Sequence, residues 1–159
     1  LIDRTMNQEV IHQIVNIMID LENITILIRA AKQKQSRSFL IGVLSSEGTV
    51  DKTLLIDEVL EKGTEALIDL YRHVPYYDKI VAILEQEEHP VFALELLKEE
   101  LIYHILEEAT FEPFGPLPSL AYIHALEMEV KNLRLLLVGV DNEFTEEQLR
   151  ERMRPVYVS

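Results

Sequence analysis

The sequence predicts an all-α protein, and three observations lead to this prediction. Apolar residues recur at spacings of three and four along most of the 159 residues. The chain has only five Gly and six Pro, and several of them stand where a helix would begin or end. Segments of alternating apolar and polar residues, the pattern of a half-buried strand, are scarce. About half of the residues are apolar (48%), which is enough for a buried core.

The first predicted helix is long and runs from Asp3 to Ala31. No Gly or Pro interrupts it, and its apolar stripe consists of Met6, Val10, Ile14, Ile17, Leu21, Ile24, Ile28 and Ala31. At 1.5 Å per residue the helix would be about 40 Å long. Residues 17–28 are apolar on nearly all sides, so we expect this half to lie inside a helical bundle.

Shorter helices follow, and their ends are marked by capping residues and helix breakers. We predict helices over 39–44, from a Thr49 or Asp51 cap to Gly63, over 64–71 with Thr64 as cap, over 76–86, and over 91–109 after Pro90. A Gly- and Pro-rich loop covers 112–118. Ser119 then caps a helix to Val138, and a capping box at 145–148 opens a last short helix.

The charge of the chain is strongly negative and unevenly distributed. The formal net charge is −13, with 28 acidic and 15 basic side chains. Residues 51–130 carry the whole excess, because the flanking segments each hold as many bases as acids. Phosphate backbones attract Lys and Arg, so this balance argues against nucleic acid as a partner. No apolar run approaches the ~20 residues of a membrane span.

The sequence lacks the usual motifs of enzymes and cofactor sites. It has no cysteine, no Gly-rich phosphate loop, no Gly-x-Ser-x-Gly elbow and no His-x-x-x-His pair. We therefore expect no catalytic residue, no cofactor and no metal ion. One alternative is a metal enzyme built on Glu100, His104 and Glu107, although these residues also fit a set of exposed helical pairs.

Two polar pairs stand out within apolar helices. Asp20 with Asn23, and Glu129 with Asn132, each put an acid and an amide three residues apart on one helix face. The segments 20–28 and 129–137 align at an offset of 109 residues, which suggests two copies of one structural unit. We interpret the pairs as a buried polar network that fixes how helices meet, with loop backbone, Arg29 or Arg134 as partners.

Three C-terminal segments resemble a known family. They are residues 114–122 (FGPLPSLAY), 127–139 (EMEVKNLRLLLVG) and 147–158 (EQLRERMRPVYV), and they are similar to the C-terminal signature of the C subunits of V-type and archaeal A-type ATPases, called d in eukaryotes. Residues 20–24 and 29–32 are similar to the Asn-centred helix that recurs in that family. The resemblance implies a longer parent chain, of which this sequence would be roughly the C-terminal half.

The resemblance also implies an architecture and a role. Family members are funnel-shaped and built from similar helical units with internal pseudo-symmetry. We accordingly expect two units here, 1–90 and 91–159. A family member lies on the cytoplasmic side of the membrane as a non-catalytic, peripheral rotor part. It connects central-stalk subunits D and F to the proteolipid ring, and so couples ATP hydrolysis or synthesis to H⁺ or Na⁺ transport.

The acidic middle of the chain has a hypothetical place in this scheme. Glu99, Glu100, Glu107 and Glu108 are candidates for a surface that meets a basic partner, which would be the foot of the stalk. The simpler interpretation is that these acids lie on solvated helix faces and keep the protein soluble. An unrelated all-helical adaptor that binds partner helices is the alternative to the family function.

Overall fold

The computed structural model describes residues 2–109 together with residues 128, 131 and 132. Six helices lie in this part of the chain: α1 (Ile2–Gln33), α2 (Arg37–Val43), α3 (Lys52–Lys62), α4 (Ala66–Leu70), α5 (Tyr77–Gln86) and α6 (Pro90–Ala109). The described residues contain no strand, which confirms the predicted all-α class. The Gly/Pro loop and the last predicted helix lie outside the described residues. Of the predicted helix 119–138, residues 128, 131 and 132 are described, and they are helical.

The helix ends follow from local hydrogen bonding at most of the predicted positions. Asp51 caps α3, since its Oδ2 accepts the Leu54 N–H at 3.0 Å. Ser36, which was not a predicted cap, caps α2 in the same way through the Phe39 N–H, 3.2 Å away, so α2 begins two residues before the predicted start at residue 39. Gly63 ends α3 with φ of 83°, a conformation that favours glycine.

The predicted Thr64 cap of α4 is wrong. Glu65 occupies the N-cap position of that helix, and no side chain bonds to the first turn. The Thr64 carbonyl oxygen instead accepts the Leu67 N–H at 3.1 Å, one of several successive i to i+3 bonds that begin at Gly63. The tight turn therefore satisfies these N–H groups with backbone carbonyls, and a side-chain cap is unnecessary.

Contacts divide the chain into two compact units. One consists of Val15–Lys98, and the other of Leu1–Ile14 with Glu99–Ser159. In the first unit α2 packs against α3, α3 against α4, and α4 against α5. The predicted units, 1–90 and 91–159, refer to structural repeats, and that division stays a prediction.

The core of the Val15–Lys98 unit is mostly apolar. Its fully buried side chains include Leu21, Ile24, Leu27, Leu40, Leu55, Ile56, Leu67, Tyr71, Ile80 and Leu94. Most of residues 17–28 are buried, as the all-round apolar pattern predicted, although Met18 is 48% exposed. In the other unit Ile102, Tyr103, Leu106 and Met128 are buried. No helix among the described residues has the length and apolarity to cross a membrane.

Gly63→Ala tests whether the end of α3 depends on glycine. An added Cβ would meet nothing within 4 Å, so any effect comes from the positive φ alone. We expect a loss of about 1–3 kcal/mol in the free energy of unfolding, measured by denaturant titration. Gly42→Ala is the matched control, because Gly42 lies inside α2 and also has open space around it. Its helical backbone predicts a gain of about 0.5–1 kcal/mol. Equal effects of the two substitutions would contradict this account of Gly63.

Candidate functional site

The most specific polar arrangement in the structure fastens α1 to the loop between α2 and α3. Two α1 side chains, Asp20 and Asn23, hold the loop residues Ser45 and Thr49 by hydrogen bonds. We call this arrangement the Asp20–Asn23 clamp. Both α1 side chains are 1% exposed and lie among the apolar residues of the core. All of these residues belong to the Val15–Lys98 unit.

Asn23 binds one loop residue through both ends of its amide. Its Nδ2 donates to the Ser45 carbonyl oxygen at 3.1 Å, and its Oδ1 accepts the Ser45 N–H at 3.0 Å. This pair of reciprocal hydrogen bonds resembles the pair that two opposite residues form in an antiparallel sheet, and it fixes the orientation of the Ser45 backbone. Only a primary amide supplies a donor and an acceptor at this spacing.

Asp20 holds Thr49 with both carboxylate oxygens. Oδ1 accepts the Thr49 N–H at 2.8 Å, and Oδ2 accepts the Thr49 hydroxyl at 2.6 Å. A buried carboxylate is costly unless hydrogen bonds replace its lost water. The two bonds supply that replacement and are of the strong, charge-assisted kind.

Gly48 is packed against the clamp so closely that a side chain would not fit. A Cβ at this position would lie 2.6 Å from Asp20 Oδ1, 3.3 Å from Ile19 Cγ2 and 3.4 Å from Asn23 Nδ2. The loop backbone can approach α1 only because residue 48 lacks a side chain.

His73 extends the clamp toward the turn before α5. Its Nε2 lies 2.9 Å from Thr49 Oγ1, whose single proton is already donated to Asp20. Thr49 Oγ1 therefore accepts from His73, which assigns the Nε2–H form to this imidazole on the basis of the hydrogen bonds. The His73 ring stacks on Tyr71, with centroids 6.2 Å apart and planes inclined by 22°.

Two buried tyrosines lie near the Asp20 charge. Burial raises the pKa of Tyr71 and of Tyr76 well above the ordinary value, and the negative charge of Asp20 raises both further. Both phenols are therefore neutral at physiological pH. The Tyr71 hydroxyl is buried and has no hydrogen-bond partner in the described part of the chain.

The clamp is suited to positioning backbone. All four polar side-chain atoms of Asp20 and Asn23 form hydrogen bonds with the loop. A ligand at this point would have to displace those bonds, each of which replaces water lost on burial. The arrangement therefore fixes where the α2–α3 loop meets α1.

The structure brings together only part of the predicted polar network. Arg29 is exposed on α1, and within the described residues its guanidinium makes no hydrogen bond or ion pair. Asn132 is helical and 5% exposed, like its counterpart Asn23. Glu129 and Arg134 lie outside the described residues. The membership of these residues in one network stays a prediction.

The four predicted surface acids do not share one environment. Glu99 is 2% exposed, and its carboxylate forms an ion pair with Lys131 in the Leu1–Ile14/Glu99–Ser159 unit. Glu99 is therefore a buried ion-pair partner and does not contribute to an open acidic surface. The Glu100 and Glu107 side chains are 42% and 53% exposed, and Glu108 is also exposed.

The alternative metal site has the geometry of exposed helical pairs. His104 Nε2 lies 3.9 Å from Glu100 Oε1, and His104 Nδ1 lies 3.6 Å from Glu107 Oε2. All three side chains lie on α6, where spacings of three and four residues bring them together. Among the residues that the structure describes, no group of three or more His, Asp and Glu side chains is arranged to hold a metal ion.

Comparison with known proteins decides the family. Residues 2–152 match the family model described as the ATP synthase (C/AC39) subunit. The chain belongs to this family. The C/AC39 match covers nearly the whole sequence and confirms the resemblance that the C-terminal segments indicated.

Two curated relatives agree with the C/AC39 assignment. The chain is 39% identical over 140 residues to the C subunit of the V-type sodium ATPase of Enterococcus hirae, covering 87% of this chain and 42% of the relative. It is 24% identical over 154 residues to the C subunit of the A-type ATP synthase of Methanosarcina acetivorans, covering 94% and 41%. The chain thus spans about two fifths of the length of these relatives. No solved structure matches it.

Asn23→Asp tests the reciprocal bonding of the Asp20–Asn23 clamp. The carboxylate keeps the shape of the amide but cannot donate to the Ser45 carbonyl, and it places a second charge one turn from Asp20. We expect a loss of about 1–3 kcal/mol in the free energy of unfolding at neutral pH. Gln13→Glu, the same amide-to-carboxylate change at an exposed position of α1 seven residues from Asp20, is the control and should lie within about 0.5 kcal/mol of the parent protein. Indistinguishable losses for the two variants would contradict a specific role for Asn23.

Proposed function

We propose that the chain is part of a non-catalytic rotor subunit of a V/A-type ion-translocating ATPase. In this proposal it links the central-stalk subunits D and F to the membrane proteolipid ring, on the cytoplasmic side and peripheral to the bilayer. It transmits torque between ATP turnover and the transport of H⁺ or Na⁺. The match of residues 2–152 to the C/AC39 family is the observation that carries the proposal.

The packing of the described helices supports a mechanical role. A torque-transmitting part has to resist deformation, and close-packed interiors have low compressibility. The Val15–Lys98 unit has a buried apolar core, and the Asp20–Asn23 clamp ties a loop to that core with four hydrogen bonds. These features suit a part that acts through its shape.

The acidic face of α6 is proposed as the contact for a basic partner. Glu100, Glu107 and Glu108 are at least partly open to solvent and carry the charge of that face, whereas Glu99 is taken out of the proposed surface because it is buried with Lys131. Complementary charge mainly steers association and adds salt dependence to affinity. The proposed partner of this face is the foot of the stalk.

Co-purification tests the proposed assembly. We expect the full-length protein to be recovered from membranes with subunits D and F and the proteolipid ring in mild detergent. Membranes that lack it should retain ATP hydrolysis by the catalytic head but lose ATP-driven ion transport. Its recovery without stalk and ring would contradict the proposal.

Reversing the charges of Glu100, Glu107 and Glu108 to Lys tests the proposed acidic surface. We expect weaker binding of the full-length protein to the D–F stalk, by about tenfold at low salt, with a smaller difference at high salt. The control is the triple reversal of Glu85, Glu87 and Glu88, three exposed acids at the end of α5 and just after it. Equal effects of the two triple variants would assign both sets of acids to general solubility.

A further inference from the structure

The segment that follows the clamp residues on α1 has a charge pattern opposite to that of the whole chain. Residues 23–46 contain four basic side chains and no acid, although the chain as a whole carries −13. The four are Arg29, Lys32, Lys34 and Arg37, and all are exposed. Only Arg37 has an ionic partner among the described residues, Asp57 at 2.9 Å. The other three cations face solvent without a neutralising acid in the described part of the chain.

An apolar groove of about 200 Å³ lies between the end of α1, α2 and α3, and one of these cations, Lys34, lines it. Its floor consists of Leu27, Ala30, Leu40 and Val59, which are 0–6% exposed. Ala31 and Leu60 lie at its open side, and Leu60 is 48% exposed. Lys34 belongs to the lining itself, and Lys32 directly follows Ala31 on α1. We call this feature the basic-rimmed groove.

The size of the groove sets what can enter it. An apolar cavity of about 150 Å³ is large enough to bind benzene. A recess of about 200 Å³ therefore accommodates one large apolar side chain, such as Leu or Phe. The floor is recessed between helices, so an inserted side chain reaches it, whereas the flat surface of a lipid bilayer does not. Further large apolar side chains of α2, Phe39, Ile41 and Val43, are 41–46% exposed.

We propose that the basic-rimmed groove binds an amphipathic helix of a partner protein, with an apolar side chain inserted in the groove and acidic residues on either side. The apolar floor provides the hydrophobic contact, as in other helix-in-groove complexes. Lys34 in the lining and Lys32, which follows the lining residue Ala31, provide charge complementarity for Asp or Glu and disfavour basic segments. This partner has the opposite charge from the partner proposed for the acidic face of α6, so the two surfaces select different segments.

Binding of two helical peptides to the full-length protein tests the proposal. Both peptides carry Leu and Phe at positions i, i+3, i+4 and i+7, and the flanking positions are Glu in one and Lys in the other. We expect saturable binding of the Glu peptide by fluorescence anisotropy, weakening with added salt, and no saturable binding of the Lys peptide.

Three substitutions make the test specific to the groove. Ala31→Trp, at an exposed position, should occupy the open side and abolish binding of the Glu peptide. Lys34→Glu should weaken it about three- to tenfold. The control, Arg72→Glu, reverses an exposed cation whose side chain is 69% exposed, and it should leave affinity unchanged. Thermal unfolding of each variant checks that the fold is kept.

Several outcomes would overturn the proposal. Equal affinity for the two peptides would do so, as would binding that Ala31→Trp does not change. Two further outcomes are preferential binding of the protein to phosphatidylglycerol vesicles, with the same dependence on Lys34, and concentration-dependent self-association that Ala31→Trp abolishes. The last two would assign the groove to a lipid surface or to a second copy of the chain. None of these results bears on recovery of the protein with stalk and ring, so the groove and the proposed function fail separately.

Discussion

A buried carboxylate and a buried amide on α1 constrain the rest of the Val15–Lys98 unit. Asp20 and Asn23 lie in the most apolar part of the helix, where an unpaired polar group would cost about 1–3 kcal/mol or more. The loop at Ser45–Thr49 satisfies them, and it can do so only with Gly48 against the helix. Since α2 ends and α3 begins at this loop, its attachment fixes where both helices pack. His73 adds a contact from the turn before α5.

The same constraint connects structure to the proposed role. A loop held only by its ends can move independently of the core, whereas a loop bonded to a central helix moves with it. The basic-rimmed groove belongs to the Val15–Lys98 unit, whereas the acidic residues of α6 belong to the other unit. The charges of these two proposed surfaces have opposite sign, so we expect them to select chemically different partners.

Helix periodicity and end signals predicted much of this fold from the sequence. A local sequence pattern is enough to predict the apolar stripe of α1 and the two ends of α3 at Asp51 and Gly63, because each depends only on residues that are close in sequence. The clamp was predictable only in part. An acid and an amide in an apolar helix indicate burial, and therefore a need for partners, but those partners lie 22 to 29 residues away along the chain. Glu99 was wrongly predicted to be exposed, because it lies in an acidic stretch of the sequence. Its carboxylate is buried in an ion pair with Lys131, which lies 32 residues further along the chain. The Thr64 cap was mispredicted because backbone carbonyls took the N–H groups that a side-chain cap would have bonded.

Native-state hydrogen exchange at the Ser45–Thr49 loop tests most directly whether the clamp joins the loop to the core. The Ser45 and Thr49 amides donate to Asn23 and Asp20, whereas Ser46 lies exposed between them. We expect the Ser45 and Thr49 amides to exchange only through an opening whose free energy is close to that of the buried part of α1, and Ser46 to exchange quickly. Exchange of Ser45 and Thr49 as fast as that of Ser46, with α1 still protected, would show that the loop opens on its own and would contradict the account.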